Sequence, residues 1–197
     1  MNDEQYNACL NFLKSNTKCT AHDIDHSLRV LSTSVSIQQN YENSSLLIIQ
    51  FAALLHDAMD HKFGFSDEDR QLTLTKFMIS ISINLETSQE VINIINSISY
   101  SKGAVPDSIE GKIVQDADRL DAIGAVGIAR CCAYGGGCGR AIWNAEDKTC
   151  SIQHFYDKLL KIQYKMNLPE TRQIAEQRTM FLQSFLDQFF DEVGGIK

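Results

Sequence analysis

One stretch constrains this chain more than any other. Leu46 to Leu55 is apolar except for Gln50, and it ends in an adjacent histidine and aspartate, His56-Asp57. The run is long enough for a buried helix and far short of the ~20 residues that span a bilayer. Burying an imidazole beside a carboxylate is costly unless something satisfies both, and a metal ion is the usual partner. The rest of the chain reads as parts placed around that pair.

The remaining patterning is helical almost throughout. Only two prolines, Pro106 and Pro169, interrupt 197 residues. Helical spacing predicts segments over residues 4–14, from Asp23 or Asp25 to about 41, 44–56, 67–83, 88–100, 108–120, 122–133, 151–165 and 169–192. Leu28, Leu31, Val35 and His26 are expected on one face of the second. Asp67 and Ser88 are read as helix starts. Tyr134-Gly135-Gly136-Gly137-Cys138-Gly139-Arg140 reads as a flap or an excursion, because each glycine costs a helix about 1 kcal/mol. The expected architecture is one all-α domain over 1–197, with the C-terminal phenylalanines (Phe181, Phe185, Phe189, Phe190) packed on its core.

The bulk numbers exclude several classes. A net charge of −7, from 25 acidic and 18 basic residues, argues against a nucleic-acid polymer or an anionic membrane as partner. Six cysteines without a CxxC pair suit reduced thiols in a cytoplasmic protein. A small phosphorylated ligand stays compatible, since local charge decides its binding.

Four ionisable residues stand out: His26, His56, Asp57 and Asp118. Ile113 and Val114 lead into the cluster Gln115-Asp116-Ala117-Asp118-Arg119-Leu120-Asp121, much as the apolar run leads into His56. Two imidazoles and two carboxylates make a mixed N/O donor set that suits Mn²⁺, Fe²⁺, Ni²⁺, Co²⁺ or Zn²⁺. On a six-coordinate ion they leave two positions for water and a phosphate oxygen.

The order His, His-Asp, Asp resembles the HD-domain superfamily of metal-dependent phosphohydrolases. The flanks Ala21-His22-Asp23-Ile24-Asp25-His26-Ser27-Leu28-Arg29-Val30, Leu54-Leu55-His56-Asp57, Gln115 to Ala125, and His154-Phe155-Tyr156-Asp157-Lys158-Leu159-Leu160 are similar to a small bacterial-type subgroup. Some of its members cleave nucleoside triphosphates to monophosphate and pyrophosphate. The resemblance implies a single HD-type helical domain around one divalent ion, Mn²⁺ favoured, with Fe²⁺, Ni²⁺, Co²⁺, Zn²⁺ or Mg²⁺ as alternatives. It also implies a nucleotide substrate, and a monomer or homodimer fits it equally.

The other polar residues take expected roles around that centre. Asp60 follows His56 by four; if the helix continues, it shares a face with His56 and can orient or deprotonate water. An acidic residue stands at the comparable place in the related alarmone hydrolases. Lys62 and Arg119 are candidates to neutralise developing phosphate charge, and Lys102, Arg29 and Lys158 to bind substrate. Asp121 is read either as holding a ligand histidine in its tautomer or as a helix cap. Asp116 is read as structural, and His22, His61 and His154 as outside the metal set. The alternatives are a nucleoside 5′-monophosphate phosphatase and, in another class, a non-catalytic metal- or nucleotide-binding regulatory module. A cyclic-nucleotide phosphodiesterase is disfavoured, since ligands for a second metal are not evident.

Overall fold

The computed structural model describes residues 1–16, 24–59, 65–98 and 103–194. All regular structure among them is helical: α1 (Asp3–Asn16), α2 (Ile24–Gln38), α3 (Leu46–Leu55), α4 (Asp67–Ser80), α5 (Leu85–Ser97), α6 (Ile109–Asp121), α7 (Gly124–Gly137), α8 (Ser151–Asp157), a 3-10 helix (Leu159–Lys165) and α9 (Pro169–Glu192). None is long and apolar enough to cross a membrane. The chain forms two compact units, Met1–Ala117 and Asp118–Lys197, and α6 runs through the division.

In the first unit α3 is the central element. Ile49, Phe51, Ala52, Ala53, Leu54 and Leu55 are all fully buried. It packs on α2 and α5, and α1 reaches both α2 and α3. Each large apolar side chain buried this way contributes about 1.5–3 kcal/mol, so this helix carries much of the unit's stability. Ser45 caps its start, with its side chain accepting from the Ile48 N–H, while the Ser45 N–H donates to Glu110 Oε1 at 2.8 Å. Gln115 is fully buried, and its amide donates to the carbonyl oxygens of Ala104 (2.9 Å), Ser97 and Ile98 (3.4 Å each).

Several expectations shift. The buried stripe of α2 is His26, Ser27, Val30, Ser34 and Ile37. Leu28, Leu31 and Val35 are only half-buried. Two of these five buried positions are serines, which a reading by hydrophobicity passes over. α4 is capped by Ser66 rather than Asp67, with Ser66 Oγ accepting from the Asp69 N–H at 3.0 Å. α5 starts at Leu85 behind the cap Asn84, whose Oδ1 accepts from the Thr87 N–H at 2.8 Å. Ser88 instead lies inside that helix.

In the second unit α7 packs on α8 and α9, and the 3-10 helix packs on both α8 and α9. The glycine run is the largest correction, because α7 continues through Gly135-Gly136-Gly137 instead of breaking there. A Cβ on Gly135 would stand 2.1 Å from Ser151 Oγ, so close packing overrides helix propensity. The helix ends at Gly137 with Cys138 as its cap, and Gly139 then turns the chain at φ +69°. There the Arg140 N–H donates to the Gly135 carbonyl at 2.8 Å and the Gly139 N–H to that of Gly136 at 3.1 Å, a Schellman ending. The single helix expected over 151–165 divides at Lys158 (φ −132°, ψ −58°), and the three-residue period beyond it aligns the buried Leu159 and Ile162. On α9, Phe190 is buried and meets Trp143 edge-on at 5.0 Å, and Phe185 stacks on Phe155 at 5.6 Å. Phe181, by contrast, is exposed.

Candidate metal centre

The apolar run ends where the chemistry begins. α3 stops at Leu55, and His56 to Met59 form a turn. The Ala58 N–H donates to the Leu55 carbonyl at 3.0 Å, and Met59 takes a left-handed φ of +54°. A helix that continued past His56 would have put Asp60 on the same face; the turn removes that argument. Asp60 itself, with Lys62, Lys102, His22 and His61, lies outside the described residues.

His26 on α2 is brought to this turn. Its Nε2 stands 3.1 Å from His56 Nε2 and 3.4 Å from Asp57 Oδ2, while His56 Nε2 is 3.7 Å from the same oxygen. The two histidines are buried, and Asp57 keeps 16% of its side chain exposed, which leaves the group one open side.

The protonation pattern follows from the partners. His56 Nδ1 lies 2.8 Å from the Ala53 carbonyl oxygen. A carbonyl only accepts, so Nδ1 carries the ring proton and Nε2 presents a lone pair. That lone pair faces a second imidazole nitrogen and a carboxylate oxygen. A proton between the rings satisfies one pair at a time, whereas a divalent cation satisfies all three donors. With ligand distances of about 2.0–2.2 Å, donors at right angles stand roughly 3 Å apart. The observed separations begin at that value and extend a little beyond it, so this donor set fits a divalent ion.

Asp118 is half-buried and follows Ala117 on α6 without a break. Arg29 is half-buried on α2, one turn after His26. Arg119 is buried, and its NH1 donates to the Lys165 carbonyl. Asp121 pairs with Arg130 (2.9 Å). Asp116 is fully buried. His154 and Lys158 lie at the end of α8, and the Lys158 N–H donates to the His154 carbonyl at 3.0 Å. Burial holds the His154 imidazole below its ordinary pKa, with the positive charges of Lys158 and Arg140 acting in the same direction.

One residue at the turn escaped the sequence reading. Arg70 on α4 is buried; its Nε donates to the Ala58 carbonyl at 3.0 Å and its NH2 to the His56 carbonyl. In Asp67-Glu68-Asp69-Arg70 it looks like one more charge in an exposed first turn, so no local signal marks it.

The HD domain family model matches residues 23–123. YpgQ of Bacillus subtilis is 36% identical over 181 residues, covering 90% of this chain and 87% of YpgQ. The chain belongs to the HD domain family. The HD match includes His26, His56, Asp57 and Asp118 and runs across the division between the two units. Likeness within the family extends beyond the match. The crystal structure of YpgQ in complex with ADP superposes with a TM-score of 0.82 at 34% identity, covering 98% of this chain and 100% of that one. An HD-superfamily hydrolase from Bacillus thuringiensis gives a TM-score of 0.76 at 34% identity, with 96% of each chain covered.

Proposed function

We propose that this protein is a divalent-metal-dependent phosphohydrolase that cleaves a (deoxy)nucleoside triphosphate to its monophosphate and pyrophosphate. The observation that carries this reading is the convergence of His26 Nε2, His56 Nε2 and Asp57 Oδ2 at 3.1–3.7 Å in an HD-family chain. The ADP bound by YpgQ supports a nucleotide as the ligand class.

In this reading His26, His56, Asp57 and Asp118 hold one ion, with Mn²⁺ favoured. When bound, the ion supplies Lewis acidity, making water more acidic and the phosphoryl group more electrophilic. The chain's residues do the rest. The Ala53 carbonyl fixes the His56 ring, so its lone pair is aimed before any ligand arrives. Asp57 keeps part of its carboxylate exposed, which supports substrate approaching from that side. Asp60 accepts a proton from the attacking water. Lys62, Lys102, Arg29 and Lys158 offset charge on the phosphates, which dominates the cost of phosphoryl transfer. Arg119, beside Asp118 in sequence, joins Lys62 in offsetting the charge that develops on the phosphate.

The test is ³¹P NMR of products formed from nucleoside tri-, di- and monophosphates with Mn²⁺, with Asp57→Ala alongside. Pyrophosphate from triphosphates, absent in the variant, is expected. Orthophosphate from monophosphates alone would replace this reading with a nucleotidase. No product from any substrate by protein that binds Mn²⁺ would replace it with a binding module.

A further inference from the structure

The turn from His56 to Met59 closes α3 at the end where helix carbonyls lack intrahelical partners and the dipole is negative. A buried guanidinium from α4 meets that end. Arg70 Nε donates to the Ala58 carbonyl at 3.0 Å, and its NH2 donates to the His56 carbonyl. These two carbonyls bracket Asp57. Holding both peptide planes from one rigid fork restricts the backbone rotations between them, those of Asp57 and Ala58, and these set where the Asp57 carboxylate points relative to His56. A lysine, with one flexible ammonium, lacks the planar fork that grips both acceptors in fixed geometry.

We propose that Arg70 is a positioning residue for the metal centre: it locks the His56-Asp57 turn so that the two side chains meet His26 as preformed ligands. This rests on the reading of His26, His56 and Asp57 as a divalent-metal site. If Arg70 served the fold alone, its loss would lower stability and leave metal affinity in the surviving folded protein unchanged.

The experiment measures Mn²⁺ affinity by calorimetry, and thermal unfolding in EDTA, for the full chain and four variants. Arg70→Met removes both donors, and Arg70→Lys keeps the charge without the fork. Leu74→Ala, a buried apolar position on the same helix, is the control for destabilisation. Asp57→Asn tests the site itself. Arg70→Met is expected to weaken Mn²⁺ binding about tenfold or more, and Arg70→Lys severalfold. Leu74→Ala should melt earlier yet bind within about twofold of the parent, by the same reasoning. Should Arg70→Met fail to fold, Arg70→Lys decides. Parental affinity in the folded Arg70 variants, or an equal loss in Leu74→Ala, overturns the assignment. Unchanged binding in Asp57→Asn, or no binding by the parent, instead rejects the metal-site reading, and the role of Arg70 falls with it.

Discussion

Nε2 of His26 and Nε2 of His56 stand 3.1 Å apart although 30 residues separate them in sequence. Two buried imidazole nitrogens that face each other this closely, beside a carboxylate oxygen, form a group whose best partner is a cation. The arrangement depends on α2 and α3 packing side by side, so the fold and the site are specified by the same seam.

Metal linkage should make that visible. Mn²⁺ at a hundredfold excess over its dissociation constant should stabilise the parent by about 2.7 kcal/mol. In His26→Ala the shift in melting temperature on adding Mn²⁺ should vanish. Scanning calorimetry with and without the ion checks this, and a retained shift would place the ion elsewhere.

The glycines of α7 should part company under substitution. Gly135→Ala forces a methyl to within 2.1 Å of Ser151 Oγ and should destabilise by about 1–3 kcal/mol. Gly136→Ala meets nothing within 4 Å and should stabilise by about 0.5–1 kcal/mol through helix propensity. Urea unfolding of the two variants compares them directly, and equal effects would contradict the packing argument.

These glycines also show what a sequence reader can and cannot see. Apolar periodicity located most of the helices, because a buried face must repeat at helical spacing whatever it packs against. His26, His56, Asp57 and Asp118 stood out because ionisable groups beside apolar runs need a reason to be there. Gly135 did not, since its place in a helix depends on Ser151, a contact that no local window contains. Arg70 was hidden in the same way: its acceptors are backbone carbonyls 12 and 14 residues earlier. α3 ends at Leu55, one residue before the expected His56, and a shared helical face with Asp60 requires a helix that continues.

Acid should weaken the fold through His154. Its folded pKa lies below the ordinary 6.5 because burial, then Lys158 and Arg140, disfavour the imidazolium. Below pH 6.5 the unfolded chain therefore takes up a proton that the folded chain resists, so stability falls as pH drops through 6.5 toward the folded value. His154→Gln should flatten the dependence of unfolding free energy on pH below about 6.5, where the reference histidine begins to protonate. An unchanged slope would place the acid sensitivity elsewhere.

Thiol reactivity should sort by environment. Burial pushes the Cys9 thiol to about 12, and burial with the neighbouring Cys132 pushes Cys131 to about 11. Cys138 is exposed. Iodoacetamide at mildly alkaline pH should modify Cys138 first among the described cysteines and leave Cys9 and Cys131 untouched in folded protein. Peptide mass mapping over a time course reads this, and early labelling of Cys131 would contradict the burial argument.

Met59 is pulled two ways. Its backbone sits at φ +54°, where glycine is at ease, yet the residue is only 5% exposed. Left-handed strain costs about 1–3 kcal/mol and burying a methionine returns about 1.5–3, so neither demand prevails. Drift at this position is therefore narrow: a glycine relaxes the bend and empties the interior, and a branched hydrophobe does the reverse. A saturation library at codon 59, selected for activity, should return few survivors, and which ones survive would report whether selection guards the bend beside the HD pair or the interior beneath it.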